Sequence, residues 1–336
     1  MLRYTLRRLL VMIPSLLGIV VVTFILTRVL PGDPALMITG EQALPEFVEQ
    51  VRKEYGFDQP LIVQFGSYMK QLVQGDFGYA WHTGHAVLDD LATRFPATVE
   101  LTLASMAIAL LVALPIGVLA ASRKDSMLDH TARVLSLIGS SVPIFWLGLL
   151  MISLFYASLG WLPAPIGRIS GGIHPPTHTT GLYVVDSLLS WDMTALKNSI
   201  AHLIMPALCL SMGTMAVVMR MIRTSMLDVT EQDYMRTARA KGLSERKIVF
   251  KHGLVNAFIP ALTMIGLQFG SLLGGAVITE TIFAWPGVGN YVTESILAAD
   301  YAPIQAMTLI SAVLYGLINL AVELIYGVLD PRVRYE

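Results

Sequence analysis

Asp233-Tyr-Met-Arg-Thr-Ala-Arg-Ala-Lys-Gly-Leu243 is a cationic stretch set between two long apolar runs. Its residues predict a short helix over about 231–241. Thr230 and Asp233 match the Ser/Thr-x-x-Asp/Glu helix-start pattern, helix formers continue to Lys241, and Gly242 supplies a left-handed cap. Ser244 can then cap a second helix that enters the following apolar run. The product is a rigid lever lying along a membrane face, which a partner protein could push. An amphipathic loop held to anionic lipid by its basic residues fits the same letters.

The flanking runs set the class. Apolar residues make up 54% of the 336 and charged residues only 14%, far from an ordinary soluble domain. Six charge-free runs, about 9–27, 101–121, 134–160, 198–219, 252–279 and 301–322, are long enough to cross roughly 30 Å of hydrocarbon at about 1.5 Å per residue. In lipid such runs must be helices, because each backbone N–H and C=O needs an internal partner. Pro14, Pro115, Pro143, Pro206 and Pro260 therefore mark kinks or helix ends. The expected fold is an all-α integral membrane protein with six transmembrane helices. The first run has Arg7-Arg8 ahead of it but no small-residue cleavage site before Pro31-Gly-Asp-Pro34, so it reads as a retained anchor. Cys209, the single cysteine, falls inside the fourth run as a packing residue and excludes an intrachain disulfide.

Positive residues near membrane segments favour the cytoplasm. Arg3, Arg7 and Arg8 precede the first run, Arg123, Lys124 and Arg133 lie between the second and third, and Arg220 to Lys251 fill the fourth connection. Both termini are thus expected in the cytoplasm. The chain divides into 1–30 (tip and first helix), 31–97 (an external segment) and 98–336 (a helical core), the last with an external loop at 161–197 and an inner loop at 223–258. The 31–97 segment carries helical periodicity around Phe47 to Tyr55 and Ile62 to Leu72, and is expected to fold on the outer membrane surface. The 161–197 loop, with Gly171-Gly172 and Pro175-Pro176, reads as structured or mobile.

Several residues inside or beside the runs could do more than pack. Gly266, Gly270 and Gly274 make a small-residue face every four positions, suited to close helix approach or to a sliding helix on a transport path. Gln268 and Asn319 lie deep enough to bond a neighbouring helix or a passing peptide backbone. Glu100, Glu280 and Glu323 sit at run edges, where snorkelling or loop contacts account for them. His82 with His85 and His174 with His178 have metal-compatible spacing, but no cysteine or carboxylate cluster accompanies them, so no metal or cofactor is expected. No G-x-x-x-x-G-K-S/T phosphate loop and no H-E-x-x-H is present, which excludes ATP hydrolysis by that route and zincin chemistry.

The inner loop resembles the EAA motif of ABC importer permeases in its peptide form. Asp233, Tyr234, Arg236, Thr237, Ala238, Arg239, Ala240, Lys241, Gly242 and Leu243 are followed in register by His252, Asn256, Ala257 and Pro260. Where the general motif has Glu-Ala-Ala and Ile-x-Leu-Pro, this chain has Arg236-Thr-Ala238 and His252-Gly-Leu-Val255, departures typical of the dipeptide, oligopeptide and nickel branch. Leu30-Pro-Gly-Asp-Pro34, Gly75-Asp-Phe-Gly78, Thr98-Val-Glu-Leu-Thr102, Pro143-Ile-Phe-Trp146, Glu280-Thr-Ile-Phe-Ala-Trp-Pro-Gly-Val-Gly289 and Leu329-Asp-Pro-Arg-Val-Arg334 also look like this branch, in order, across nearly the whole chain.

The resemblance implies the type I (MetI-like) importer fold, a B-type membrane subunit in a bacterial inner membrane, and a path for peptides completed by a sister C-type permease. It implies one or two ABC ATPase subunits, which hold ATP and Mg and engage residues 233–242, and an external binding protein that delivers ligand. Gly171, Gly172, Pro175 and Pro176 are the expected contacts with that protein. Nickel chelates and glutathione are alternative cargoes. A secondary transporter, which would carry ionisable groups or broken helices at mid-membrane in an inverted repeat, or a non-transporting scaffold, which leaves the inner loop unexplained, is the reading from another class. No nucleic acid is expected as a partner.

Overall fold

The computed structural model describes residues 2–29, 34–40 and 42–329. The Leu30-to-Asp33 part of one quoted motif and Asp330 to Arg334 of another lie outside them. Helix α1 (Leu2–Val29) is followed by short helices α2 (Pro34–Thr39), α3 (Pro45–Glu54) and α4 (Leu61–Val73), then by the hairpin β1 (Tyr79–Ala80) and β2 (His85–Ala86). Next come α5 (Val87–Ser122), α6 (Met127–Ser141), α7 (Ile144–Met151, prolonged by a π-turn over Ile152–Ser158), α8 (Tyr183–Leu189) and α9 (Met193–Thr230). The chain continues through α10 (Asp233–Ala240), α11 (Glu245–Lys247), a second π-turn (Ile248–Gly253), α12 (Leu254–Ile282), α13 (Val288–Leu297) and α14 (Tyr301–Leu329).

Five helices are long and apolar enough to cross a membrane, and α6 with α7 makes a sixth candidate bent by 103°. The run 134–160 is therefore not the single straight span its composition suggests. Val142, extended at φ −77° and ψ 124°, breaks it, because the ring of Pro143 disfavours helical geometry in the preceding residue. Pro14, Pro96, Pro115, Pro206 and Pro260 instead lie inside helices. Helix α5 begins at Val87, so the boundary drawn at residue 98 falls within a helix rather than between units.

The core is built around α9. Ala113, Val118, Ala120 and Ala121 of α5, Ala132 of α6, Val218, Met219 and Ile222 of α9 and Ala257 and Ala261 of α12 form one buried cluster. Small residues let backbones approach: a Cβ on Gly117 would stand 2.9 Å from the Met219 carbonyl oxygen, and one on Gly139 3.2 Å from that of Met212. Helix α14 runs antiparallel to α12, with Gly266 against Val322 and Gly270 against Tyr315, and α1 against α14, where Tyr4 donates to Glu323 at 2.9 Å. The first turns of α1 and the last described turns of α14 consequently share the end of the bundle that carries α10. The 161–197 loop and α8 cover the other end.

Candidate functional site

At the α10 end, helix α9 runs to Thr230, whose hydroxyl donates back to the Leu227 carbonyl at 2.8 Å. Thr230 is therefore the end of α9 and not the cap of the next helix. Gln232 occupies the position before α10 and makes no side-chain cap bond. Gly242 does take the left-handed conformation, at φ +73°, and its N–H reaches the Arg239 carbonyl at 2.9 Å. Ser244 precedes α11 in extended geometry without a side-chain cap bond.

Two residues three apart pin α10 down. Met235 (0% exposed) and Ala238 are buried against Val229 and Ile248, and a Cβ on Gly253 would meet the methyl carbons of Met226 and Met235 at 3.1 and 3.3 Å. Asp233, Tyr234, Arg236, Thr237, Arg239, Ala240, Lys241 and Gly242 are all exposed on the other side. Arg239 pairs with Glu245 at 3.0 Å and Arg236 with Asp233 at 3.4 Å. Burial raises the Tyr234 hydroxyl above its usual range, and the neighbouring Asn256 side chain opposes the shift. Asn256 also donates to the His252 carbonyl at 2.8 Å, across the end of the π-turn. The buried side of α10 thus packs on the end of α9 and on the π-turn that leads into α12, a kind of turn that often sits at functional sites.

The opposite end is held by three buried carboxylates, Glu100, Asp186 and Glu280. Glu100 accepts from Arg168 at 2.5 Å and from the Val184 N–H at 2.7 Å, while Arg168 also donates to the Gly181 carbonyl at 2.8 Å and lies 3.7 Å over the Tyr183 ring. The 161–197 loop is thereby latched to α5. Asp186, buried, accepts from the Thr179, Thr180 and Gly181 N–H groups and the Thr180 hydroxyl. Burial alone would raise its carboxyl, but these hydrogen bonds outweigh it and hold the group below the usual carboxylate range. Glu280, fully buried, accepts from the Thr98 hydroxyl at 2.5 Å and the Asn290 N–H at 3.0 Å. Thr98 in turn accepts from the Val288 N–H at 2.9 Å, and the Trp285 indole donates to the Ala97 carbonyl at 2.9 Å. Snorkelling thus describes neither Glu100 nor Glu280; loop contact describes Glu100, and Glu280 organises the Trp-Pro-Gly-Val-Gly turn.

The remaining sequence candidates separate into different places. Gly266 and Gly270 face α14, Gly274 has nothing within 4 Å of a would-be Cβ, and Asn319 lines a cavity of about 670 Å³ between α1 and α14. Gln268 instead lines a cavity of about 290 Å³ between α6, α9 and α12 with Ser140, Thr214 and Ser271, and receives the Thr214 hydroxyl at 3.4 Å. Gly171, Gly172 and Pro175 are exposed at the loop surface, whereas Pro176 is buried. His82 and His85 reach different acids, Asp300 at 2.9 Å and Asp90 at 3.5 Å, and no group of three or more metal-ligating side chains occurs among the described residues. The Met235 peg, the Arg168 latch and the Thr98 relay are the parts that sequence reasoning missed. A methionine inside a basic helix and a lone arginine in a Gly/Pro-rich loop were the available signals.

Residues 113–335 match the family model described as the binding-protein-dependent transport system inner membrane component, and residues 1–102 match the N-terminal model of such membrane components. The chain is 43% identical over 335 residues, covering 100% of both proteins, to a dipeptide transport system permease protein of Alkalihalophilus pseudofirmus. It is 40% identical over 336 residues, again covering 100% of both, to a glutathione transport system permease protein of Escherichia coli. Among solved structures, an inward-facing methionine ABC transporter superposes with a TM-score of 0.51 at 19% identity, over 70% of this chain and 93% of that one. That likeness shows the shared membrane fold.

Proposed function

Because the chain belongs to the family of binding-protein-dependent transport system inner membrane components, we propose that it is the B-type permease subunit of an ATP-driven ABC importer of dipeptides or oligopeptides. A sister C-type permease completes the path, one or two ATPase subunits hold ATP and Mg, and an external binding protein delivers the ligand. The chain itself holds no cofactor. The α10 end, with both chain termini, faces the cytoplasm of a bacterial inner membrane, and residues 31–97 lie on the external side.

The observation that carries this reading is α10: a cationic helix exposed on one side and packed on the other against Val229 of α9 and Ile248 of the π-turn that leads into α12. An ATPase that closes on ATP pushes Arg236, Arg239 and Lys241, and the push moves the two helices that border the Gln268 cavity. Glutathione is the second cargo to test, because a relative 40% identical over its full length is a glutathione permease. At the far end, exposed Gly171, Gly172 and Pro175 meet the binding protein while buried Pro176 anchors their turn.

Mild-detergent purification of the tagged chain from its host should recover a sister permease and ATPase subunits, with ATPase activity stimulated by binding protein plus dipeptide. Stimulation by glutathione alone would move the cargo assignment, and recovery of the chain without ATPases would refute the importer reading. Removing residues 171–177 spares the Arg168 and Asp186 contacts at 179–184. It should lower uptake while leaving the complex and its basal ATPase activity intact; unchanged uptake would remove the loop from the docking surface.

A further inference from the structure

Three arginines converge where α6 and α9 meet at the α10 end. Asp129, 0% exposed, accepts from Arg223 Nε at 2.5 Å and from Arg223 Nη2 at 2.8 Å, and Arg133 Nη2 lies 3.3 Å from the same carboxylate oxygen. The Arg133 and Arg223 guanidinium groups therefore stand side by side. Arg220, one helical turn before Arg223, is exposed and has no acidic partner among the described residues. These three and Thr224, with Leu137 and Met219, line a cavity of about 330 Å³.

The charge in this groove is not balanced. Buried Asp129 is shared by Arg223 and Arg133, and the other acid within reach, Asp125, is 3.6 Å from Arg133 and largely in solvent, so three arginines face two acids and Arg220 is left over. From the cavity outward, α6 exposes Leu137 and then Val134, Leu135 and Ile138, each about half accessible. A cationic rim above an apolar wall fits a ligand with an anionic head and a hydrocarbon tail. Positive residues that only set membrane orientation have no need to share one cavity.

We propose that this groove binds an anionic phospholipid, its phosphate between Arg133 and Arg220 and an acyl chain along Leu137 and Ile138. Its occupant bridges α6 to α9, the helix that leads into α10, and so the lipid stiffens the joint through which α10 acts. A membrane lipid is favoured over free phosphate because the apolar wall contributes only to the former.

The test uses the full chain in phosphatidylcholine nanodiscs and measures the affinity of spin-labelled phosphatidylglycerol and phosphatidylcholine, with inorganic phosphate as competitor. Phosphatidylglycerol should be preferred, millimolar phosphate should not displace it, and Arg220→Gln should weaken it by about fivefold, from about 1 kcal/mol per basic residue. Arg133→Gln should do the same, with Arg220→Gln as the variant free of any native partner to disturb. Equal affinity for the two lipids, undiminished affinity in Arg220→Gln, or displacement by phosphate alone would overturn the proposal.

Discussion

Thr98 shows how much one side chain can organise in a membrane protein. Its hydroxyl gives its proton to Glu280 and takes the Val288 N–H, so a single oxygen links α5, the end of α12 and the start of α13. Gly289 completes the arrangement, because a Cβ there would stand 2.6 Å from the Val277 Cα and 2.8 Å from the Glu280 carboxylate. Valine at position 98 keeps the shape but orphans a buried N–H and removes a donor from a buried carboxylate, each worth about 1–3 kcal/mol. Thr98→Val should therefore lower the melting temperature of the purified complex clearly, and Thr98→Ser should stay near wild type. Equal melting of the two variants would show that the hydroxyl relay contributes nothing. Nothing in the letters Thr98-Val-Glu100 told which of the two polar residues would turn toward Glu280 and which toward Arg168, because one partner comes from the end of α12 and the other from a loop, both far along the chain.

At the scale of elements, α10 separates attachment from contact. Met235→Ala removes the peg that holds the helix to Val229 and Ile248, at about 2–5 kcal/mol for a buried methionine. The exposed cationic face remains, so ATPase subunits should still co-purify while the number of peptides imported per ATP falls. Arg236→Ala with Arg239→Ala should do the reverse and weaken subunit recovery. If Met235→Ala left the ratio of uptake to ATP hydrolysis unchanged, α10 would not be the transmitting element. The position of this helix was legible because Gly242 and the apolar runs bound it on either side. Its start was not, since Thr230 satisfies a carbonyl of α9 and leaves the cap pattern unused. The run 134–160 misled for a related reason: hydropathy counts apolar residues but is blind to direction, and only Pro143 hinted that the chain turns by 103°.

The whole molecule is asymmetric end to end. The α10 end presents an exposed cationic helix, whereas the other end is closed by a loop bonded to the bundle through Arg168 and Glu100 and folded on itself through Asp186. The Glu100–Arg168 bond joins residues far apart in the chain, so no local pattern in the sequence could reveal it, and a Gly/Pro-rich composition left open whether the loop is structured or mobile where the fold has a latch. Arg168→Ala strands the Glu100 carboxylate in a nearly dry site, a loss of about 3–5 kcal/mol for a broken buried pair. Amides at 181–184 should then exchange with deuterium much faster, with α9 amides at the α10 end unchanged. Acid provides an independent lever through Asp186. Its carboxyl titrates below its unfolded value of about 3.9, so its contribution is fully present above that pH and is lost as pH falls through the depressed native value. Corrected for intrinsic chemistry, exchange at 179–181 should be flat from about pH 8 to 5 and rise only below about 4, and Asp186→Asn should show faster exchange across the whole range. A rise already between pH 7 and 5 would mean that another group holds the loop, and slow exchange in Arg168→Ala would mean that the latch is not what closes this end.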